Sequence, residues 1–285
     1  MLVLRPLLYS SLIASSTRRL TLAMSISTAT TPGDQHCSGK SAVIFLHGLG
    51  DSPAGWSSLE YQLPSLRPSL GKDVHYVFPP APTIGITING GYKMPGKEIE
   101  YICVLCVGTM MTLFCAHFIV GYKGWFDLFD WPIGIDAKDD PAGKNKSVKQ
   151  IEDAVEKLEK DMGIPPNRIV VGGFSQGGAV ALLTAYHRRK EGKVPFAGCV
   201  CLSGWLTMKD ELQITDQVVT STPLFWGHGL GDDKVLHEQQ PHGVKILREL
   251  GVDVTDAAYP MGHSSHPEEI EAMAEFLERV LKKDS

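Results

Sequence analysis

The sequence predicts an α/β fold in which a mostly parallel central sheet is covered by helices on both faces. From residue 41 onward, short apolar runs of strand length alternate with amphipathic segments of helix length, and this alternation is typical of parallel sheets. The runs are apolar throughout, as expected for strands that are buried on both faces. An apolar fraction of 43% is sufficient for one large core.

The elements follow in order along the chain. The first strand is predicted at 42–46, before a glycine-rich turn, and the second at 74–78, before two prolines. A helix is predicted over 147–162, where apolar residues recur every three or four positions until Gly163. The other predicted strands are 168–172, 196–202, 223–226 and 252–259, and the other predicted helices are 178–186, 243–250 and 267–283.

Charge and cysteine content exclude two classes of protein. A net charge of −5 provides no positive field for phosphates, so nucleic acid is not an expected partner. The six cysteines are too few and too unevenly spaced for a disulfide scaffold, which favours a reducing compartment. Cys103 and Cys106 have the spacing of a redox pair, but they lack a βαβ setting and a second pair for zinc, so no metal site is predicted.

Residues 1–40 are expected to precede the folded domain, which is assigned to 41–285. The first 33 residues contain arginine and serine but no acidic residue, a bias that is typical of a transit peptide. Translation from Met24 is an equally weighted alternative. The expected location is the cytoplasm, with targeting to an organelle through this leader as the alternative.

A second unusual stretch is the uncharged run 102–120, which is long enough for a membrane span. Its β-branched residues and Gly108 make it a poor helix. It also interrupts a continuous domain, so a span here would have to leave the fold and re-enter it.

A candidate nucleophile lies between a predicted strand and a predicted helix. Residues 173–177 fit the pattern G-x-S-x-G, in which a sharp strand-to-helix turn exposes the serine at the carboxyl edge of the sheet. Ser175 is therefore the predicted nucleophile. The turn at 47–50 can offer a backbone N–H beside that of Gln176, and Leu49 and Gln176 are the expected oxyanion donors.

Ser175 needs a histidine to accept its proton and a carboxylate to orient that histidine. His263 is favoured because its loop joins the last predicted strand to the last helix, and His266 is the alternative. Asp232 and Asp233 both follow the strand at 223–226, and either carboxylate could reach the histidine.

Several motifs together resemble the acyl-protein thioesterase and lysophospholipase family of α/β-hydrolases. The resemblance implies the α/β-hydrolase fold, a triad of Ser175, Asp232 and His263, oxyanion donors at Leu49 and Gln176, and no cofactor. The tryptophans of two motifs, Trp125 and Trp205, are expected to contact substrate. The motifs are F-L-H-G-L-G-D at 45–51, W-F-D at 125–127, G-G-F-S-Q-G-G at 172–178, L-S-G-W-L at 202–206, H-G-x-x-D at 228–232 and G-H-S-S at 262–265.

The sequence departs from this family at about 96–123, where roughly 28 residues are extra by comparison with the family pattern. The leading hypothesis is a retained intron or an error in the gene prediction. A membrane-associating loop is the second hypothesis, and it would change access to the acyl site.

The expected function is hydrolysis of long-chain acyl thioesters, with S-acylated proteins as substrates. A lysophospholipase or carboxylesterase acting on acyl esters is the alternative, with lysophospholipids as substrates. A non-catalytic, membrane-tethered protein is the alternative of a different class. Each of these candidate functions allows peripheral contact with a membrane. The protein is expected to be a monomer or a weak dimer.

Overall fold

The central sheet is fully parallel in the part of the chain that the structure describes. A computed structural model describes residues 41–89, 122–187, 193–212, 214 and 221–282. The strands are β1 Ser41–Leu46, β2 Val74–Val77, β3 Thr83–Ile84, β4 Tyr122–Lys123, β5 Ile169–Phe174, β6 Gly198–Leu202, β7 Leu224–Gly229 and β8 Val254–Tyr259. Six of them form one sheet in the order β2-β1-β5-β6-β7-β8, and a separate two-stranded ladder joins β3 to β4.

Helices cover both faces of this sheet, which confirms the predicted fold class. The helices are α1 Pro53–Trp56, α2 Leu59–Leu66, α3 Pro141–Met162, α4 Gln176–Leu182, α5 Gln239–Glu249 and α6 Pro267–Leu281. Alternate residues of a strand enter different cores: Val43 and Phe45 of β1 share one with α2 and α6, whereas Ile44 and Leu46 share the other with α3, α4 and α5. A π-helical turn, Leu183–His187, continues α4.

Each of the six predicted strands is present, but several helix boundaries differ from the prediction. Helix α3 begins at Pro141 rather than at residue 147, and α5 begins at Gln239 rather than at residue 243. Helices α1 and α2 have no counterpart in the prediction. Polar residues fill the first turn of α3 on its inner side, so this turn lacks the apolar periodicity that predicts a helix.

Caps fix both ends of α3. The Asp140 carboxylate accepts a hydrogen bond from the Gly143 N–H at 3.0 Å, Pro141 occupies the first turn, and Gly163 ends the helix with a φ of 67°. The second oxygen of Asp140 accepts from the Asp127 N–H at 2.9 Å. The same side chain therefore starts the helix and holds the segment that precedes it.

The ladder between β3 and β4 holds the last residues of the stretch 96–123, and one hydrogen bond ties them to the loop after β1. Tyr122 and Lys123 pair antiparallel with Thr83–Ile84, and the Lys123 carbonyl accepts from the Gly50 N–H at 2.8 Å. The rest of the stretch 96–123, including the apolar run 102–120, lies outside the described residues, as does the leader 1–40. None of the helices in the described ranges has the length and apolar character needed to cross a membrane.

We expect Asp140→Ala to lower the free energy of unfolding by about 1–2 kcal/mol, because it removes the helix cap and the hydrogen bond to Asp127. Urea denaturation followed by circular dichroism measures the change. Asp153→Ala removes an exposed carboxylate from the middle of the same helix, and it is expected to change stability by less than about 0.5 kcal/mol. Equal effects of the two substitutions would contradict the capping role.

Candidate active site

Ser175 lies in a strained turn between β5 and α4. Its φ of 55° and ψ of −121° are rare for a residue with a side chain. Its N–H donates to the Leu202 carbonyl at 2.8 Å. A Cβ added to Gly173 would be 2.4 Å from the Gly177 backbone, and one added to Gly177 would be 2.3 Å from the Leu46 carbonyl oxygen. Only glycine therefore fits on either side of the serine.

Three side chains from separate loops form one chain of hydrogen bonds. The Ser175 Oγ lies 2.8 Å from the His263 Nε2, and the His263 Nδ1 lies 2.7 Å from the Asp232 Oδ2. A carboxylate can only accept, so the hydrogen of the imidazole is assigned to Nδ1. Nε2 then accepts the hydrogen bond from the serine hydroxyl and is free to take its proton.

The Asp232 carboxylate is buried and fully hydrogen-bonded. Its Oδ1 accepts from the backbone N–H groups of Lys234 and Val235, each at 2.9 Å. The His228 Nε2 donates to the Val235 carbonyl at 2.9 Å and lies 3.4 Å from Oδ2. Burial alone would raise the pKa of Asp232, but the hydrogen bonds from His228 and His263 outweigh it and hold this pKa well below its usual range.

Asp233 and His266, the alternatives that the sequence leaves open for the acid and the base, make other contacts. The Asp233 side chain is 72% exposed and pairs with the Lys234 ammonium at 3.0 Å. His266 is the N-cap of α6, where its ring accepts from the Glu268 N–H. The structure brings Asp232 and His263, and not these neighbours, to the serine.

The loop after β1 runs beside Ser175. A Cβ added to Gly48 would be 3.4 Å from the Ser175 Cβ, so the backbone at Gly48, directly before Leu49, is close to the serine side chain. Gln176 is the first residue of α4, where the N–H groups have no acceptor within the helix. Neither the Leu49 N–H nor the Gln176 N–H has a backbone acceptor among the described residues.

The Gln176 side chain ties the segment at 125–126 to the nucleophile turn. Its Oε1 accepts from the Trp125 N–H at 2.8 Å, and its Nε2 donates to the Phe126 carbonyl at 2.6 Å. The Trp125 indole donates to the His47 carbonyl at 2.8 Å. These bonds link the turn after β5 to the loop after β1.

His47 holds that loop with both ring nitrogens. Its Nδ1 donates to the Gly48 carbonyl at 2.8 Å, and its Nε2 accepts from the Ala81 N–H at 3.1 Å. Burial lowers the pKa of His47, so the ring is neutral and this pattern of one donor and one acceptor is stable.

A cavity of about 490 Å³ opens at Ser175 and His263. Trp205 is one of the residues that line it. Trp125 is 1% exposed and is not among the described residues that line the cavity, whereas the sequence predicts that it contacts substrate. The lining also contains apolar residues that the motifs do not mark. Leu128, Trp131 and Ile133 belong to an aromatic-rich stretch before α3, and Val235 follows Asp232 closely in the loop after β7.

A comparison with known protein families agrees with this site. The sequence pattern of the phospholipase/carboxylesterase family matches residues 31–96 and 108–281. The chain belongs to the phospholipase/carboxylesterase family. It is therefore a hydrolase of the carboxylester or thioester type, and the family resemblance stated from the motifs is confirmed. The unmatched residues 97–107 lie within the stretch that is expected to be extra.

Individual relatives of this phospholipase/carboxylesterase family member cover most of its length. Acyl-protein thioesterase 1 of Debaryomyces hansenii is 34% identical over 256 residues, which are 86% of this chain and 93% of the relative. Acyl-protein thioesterase 1 of Saccharomyces cerevisiae is 32% identical over 253 residues, which are 85% and 93% of the two chains.

Solved structures place the same family member among the α/β-hydrolases. Acyl-protein thioesterase 2 of Zea mays matches with a TM-score of 0.63 and 26% identity, covering 85% of this chain and 94% of that one. SOBER1 of Arabidopsis thaliana matches with a TM-score of 0.63 and 25% identity, covering 85% and 99% of the two chains.

Within the described ranges, no group of three or more acidic, histidine or cysteine side chains could hold a metal ion.

The loop that carries His263 ends in a capping box at the start of α6. The Glu269 side chain accepts from the His266 N–H at 3.4 Å through one oxygen, and the other oxygen has no partner among the described residues. A Cβ added to Gly227 would be 2.3 Å from that second oxygen, so the carboxyl group packs directly against β7. Burial raises the pKa of Glu269 to about 8.

This raised pKa predicts a loss of stability as the pH rises. Between the ordinary glutamate pKa of about 4.3 and about 8, the unfolded chain has released this proton and the folded chain retains it, so the free energy of unfolding falls with pH. We expect Glu269→Gln to be more stable than the wild type at pH 8 by about 2 kcal/mol or more, and equally stable near pH 4.

Urea denaturation at both pH values measures this difference. Glu268→Gln removes the exposed carboxylate of the preceding residue, and it is the matched control with no expected gain at pH 8. A stability difference between Glu269→Gln and the wild type that does not change with pH would rule out a retained proton.

Proposed function

We propose that this protein is an acyl-protein thioesterase, a serine hydrolase that removes long acyl chains from cysteines of other proteins. The observation that carries the proposal is the hydrogen-bonded chain of Ser175, His263 and Asp232 at the mouth of a largely apolar cavity. The relatives named acyl-protein thioesterase support the same choice of substrate.

In the first half of the reaction, Ser175 is the nucleophile. Its Oγ attacks the thioester carbonyl carbon while its proton passes to the His263 Nε2. The N–H groups of Leu49 and Gln176 are the proposed donors to the negative oxygen of the tetrahedral intermediate, with the N-terminal end of α4 adding a favourable dipole. The ionised Asp232 stabilises the imidazolium that forms.

In the second half, the sulfur leaves and water releases the acyl group. A cysteine thiol has a pKa of about 8.5, so the leaving thiolate needs less help from the His263 proton than an alkoxide would. The His263 proton passes to the departing sulfur, so the imidazole is neutral again. His263 then accepts a proton from a water molecule as the water oxygen attacks the acyl-serine, and it returns that proton to the Ser175 Oγ as the fatty acid departs. The nucleophile, the base and the oxyanion donors all come from the chain, so the mechanism requires no cofactor.

A lysophospholipase or carboxylesterase is the second candidate, because the family description includes both activities on oxygen esters. The reacting residues would be identical, and only the fit of the leaving group differs. Turnover of a palmitoyl-cysteine peptide, compared with turnover of lysophosphatidylcholine by the same preparation, separates the two candidates. A higher kcat/KM on the lipid would contradict the thioesterase proposal.

Ser175→Ala is expected to lower kcat on a palmitoyl-cysteine peptide by at least about a thousandfold and to abolish covalent labelling by a fluorophosphonate. The thermal midpoint should change little, because the substitution removes one oxygen and leaves the backbone turn in place. Ser65→Ala, at an exposed position of α2, is the control that should keep both activity and labelling. A labelled Ser175→Ala protein would mean that another residue is the nucleophile, and an unlabelled wild type would favour the non-catalytic alternative.

A further inference from the structure

Lys144 is a buried cation that the proposed mechanism does not use. Its side chain, in the first turn of α3, is 1% exposed. The ammonium donates to the Asp139 carboxylate and to the Thr207 hydroxyl. Burying a charge is costly unless it is paired and hydrogen-bonded, so a lysine at this position requires an explanation beyond packing.

The pair joins the start of α3 to the loop that follows β6. The Thr207 hydroxyl donates to the Asp139 carboxylate, and the other Asp139 oxygen accepts from the Met208 N–H at 3.0 Å. Met208 has a φ of 51°, which a residue with a side chain adopts only when its surroundings hold it. The ion pair thus fixes a strained point of this loop.

This loop also carries a wall of the acyl cavity. Trp205, two residues before Thr207, lines the cavity beside Ser175. The Lys144 ammonium lies 4.8 Å above the centre of the Phe126 ring, and that ring meets Trp205 edge-to-face at 5.8 Å. Lys144 is therefore connected to Trp205 in two ways. One is its hydrogen bond to Thr207, in the same loop as Trp205, and the other is the Phe126 ring, which contacts both side chains.

We infer that Lys144, with Asp139 and Thr207, is a positioning device that sets Trp205 and thereby the enzyme's preference for long acyl chains. The inference rests on the proposed function, in which the cavity receives the acyl chain. An ion pair with a shared hydroxyl fixes direction as well as distance, which an apolar contact does not. Lys144 touches none of the reacting groups, so its loss should change acyl binding rather than the chemical step.

The test compares one long and one short substrate. In Lys144→Met the aliphatic stem is kept and the charge is lost. We expect kcat/KM on a palmitoyl-cysteine peptide to fall about tenfold, mainly through KM. We expect kcat/KM on the butyryl form of the same peptide, and the rate of fluorophosphonate labelling, to change less than about twofold.

Two further variants make the outcome specific. Lys149→Met removes an exposed lysine of the same helix, with a side chain that is 71% exposed, and it should leave both substrates unaffected. Thr207→Val removes the shared hydroxyl at nearly constant volume and should reproduce the loss on the long chain, whereas Thr207→Ser keeps the hydroxyl and should restore it. If Lys144→Met fails to fold, the comparison of Thr207→Val with Thr207→Ser still tests the inference.

Equal losses on the palmitoyl and butyryl peptides, or no loss on either, would overturn the inference. So would a Thr207→Ser protein that behaves like Thr207→Val. The ratio of kcat/KM on the long-chain substrate to kcat/KM on the short-chain substrate is also measured with oxygen esters of palmitic and butyric acid. A wild type that cleaves only those esters contradicts the thioesterase proposal, while the comparison of chain lengths still tests the role of Lys144.

Discussion

The strained backbone at Ser175 is the constraint on which the rest of the site depends. A residue with a side chain at a φ of 55° costs about 1–3 kcal/mol, and the surrounding backbone must hold it there. The contacts at Gly173 and Gly177 leave no room for a Cβ, because β5, α4 and the end of β1 meet at this turn. That close approach places the hydroxyl at the sheet edge and puts the first N–H of α4 and the loop at 47–50 beside it. The packing of these three elements therefore also places the N–H groups that are proposed as oxyanion donors.

Two buried carboxyl groups behind the site behave in opposite ways, and hydrogen-bond donors explain the difference. Asp232 accepts two backbone N–H groups on one oxygen and an imidazole N–H on the other. Glu269 accepts one long hydrogen bond from the His266 N–H. Burial raises the pKa of both groups. Only Asp232 has enough donors to reverse that effect, so of these two carboxyl groups the one that favours its charged form is the one beside His263.

The sequence predicts the sheet well, because strands depend on local patterns. It also predicts the turn that carries Ser175, whereas the choice of Asp232 over Asp233 follows from the family resemblance. Strands buried on both faces are apolar runs, and the turn at Ser175 needs its glycines. The predictions fail where tertiary contacts decide. Helix α3 begins at the Asp140 cap, yet the inner side of its first two turns carries Lys144 and Ser147, which hydrogen-bond to distant segments. Trp125 is expected from its motif to contact substrate, but the structure buries it and its indole donates to the His47 carbonyl.

Gln176 shows why one motif position can require a particular side chain. Any residue there except proline would supply the backbone N–H proposed for the oxyanion, so that role does not select glutamine. The side chain does select it: its amide must accept from the Trp125 N–H and donate to the Phe126 carbonyl at the same time. A glutamate could not donate, and an asparagine is one methylene shorter. Because the Trp125 indole in turn donates to the His47 carbonyl, this single amide links the turn at Ser175 to the loop after β1, the two segments that carry the proposed oxyanion donors.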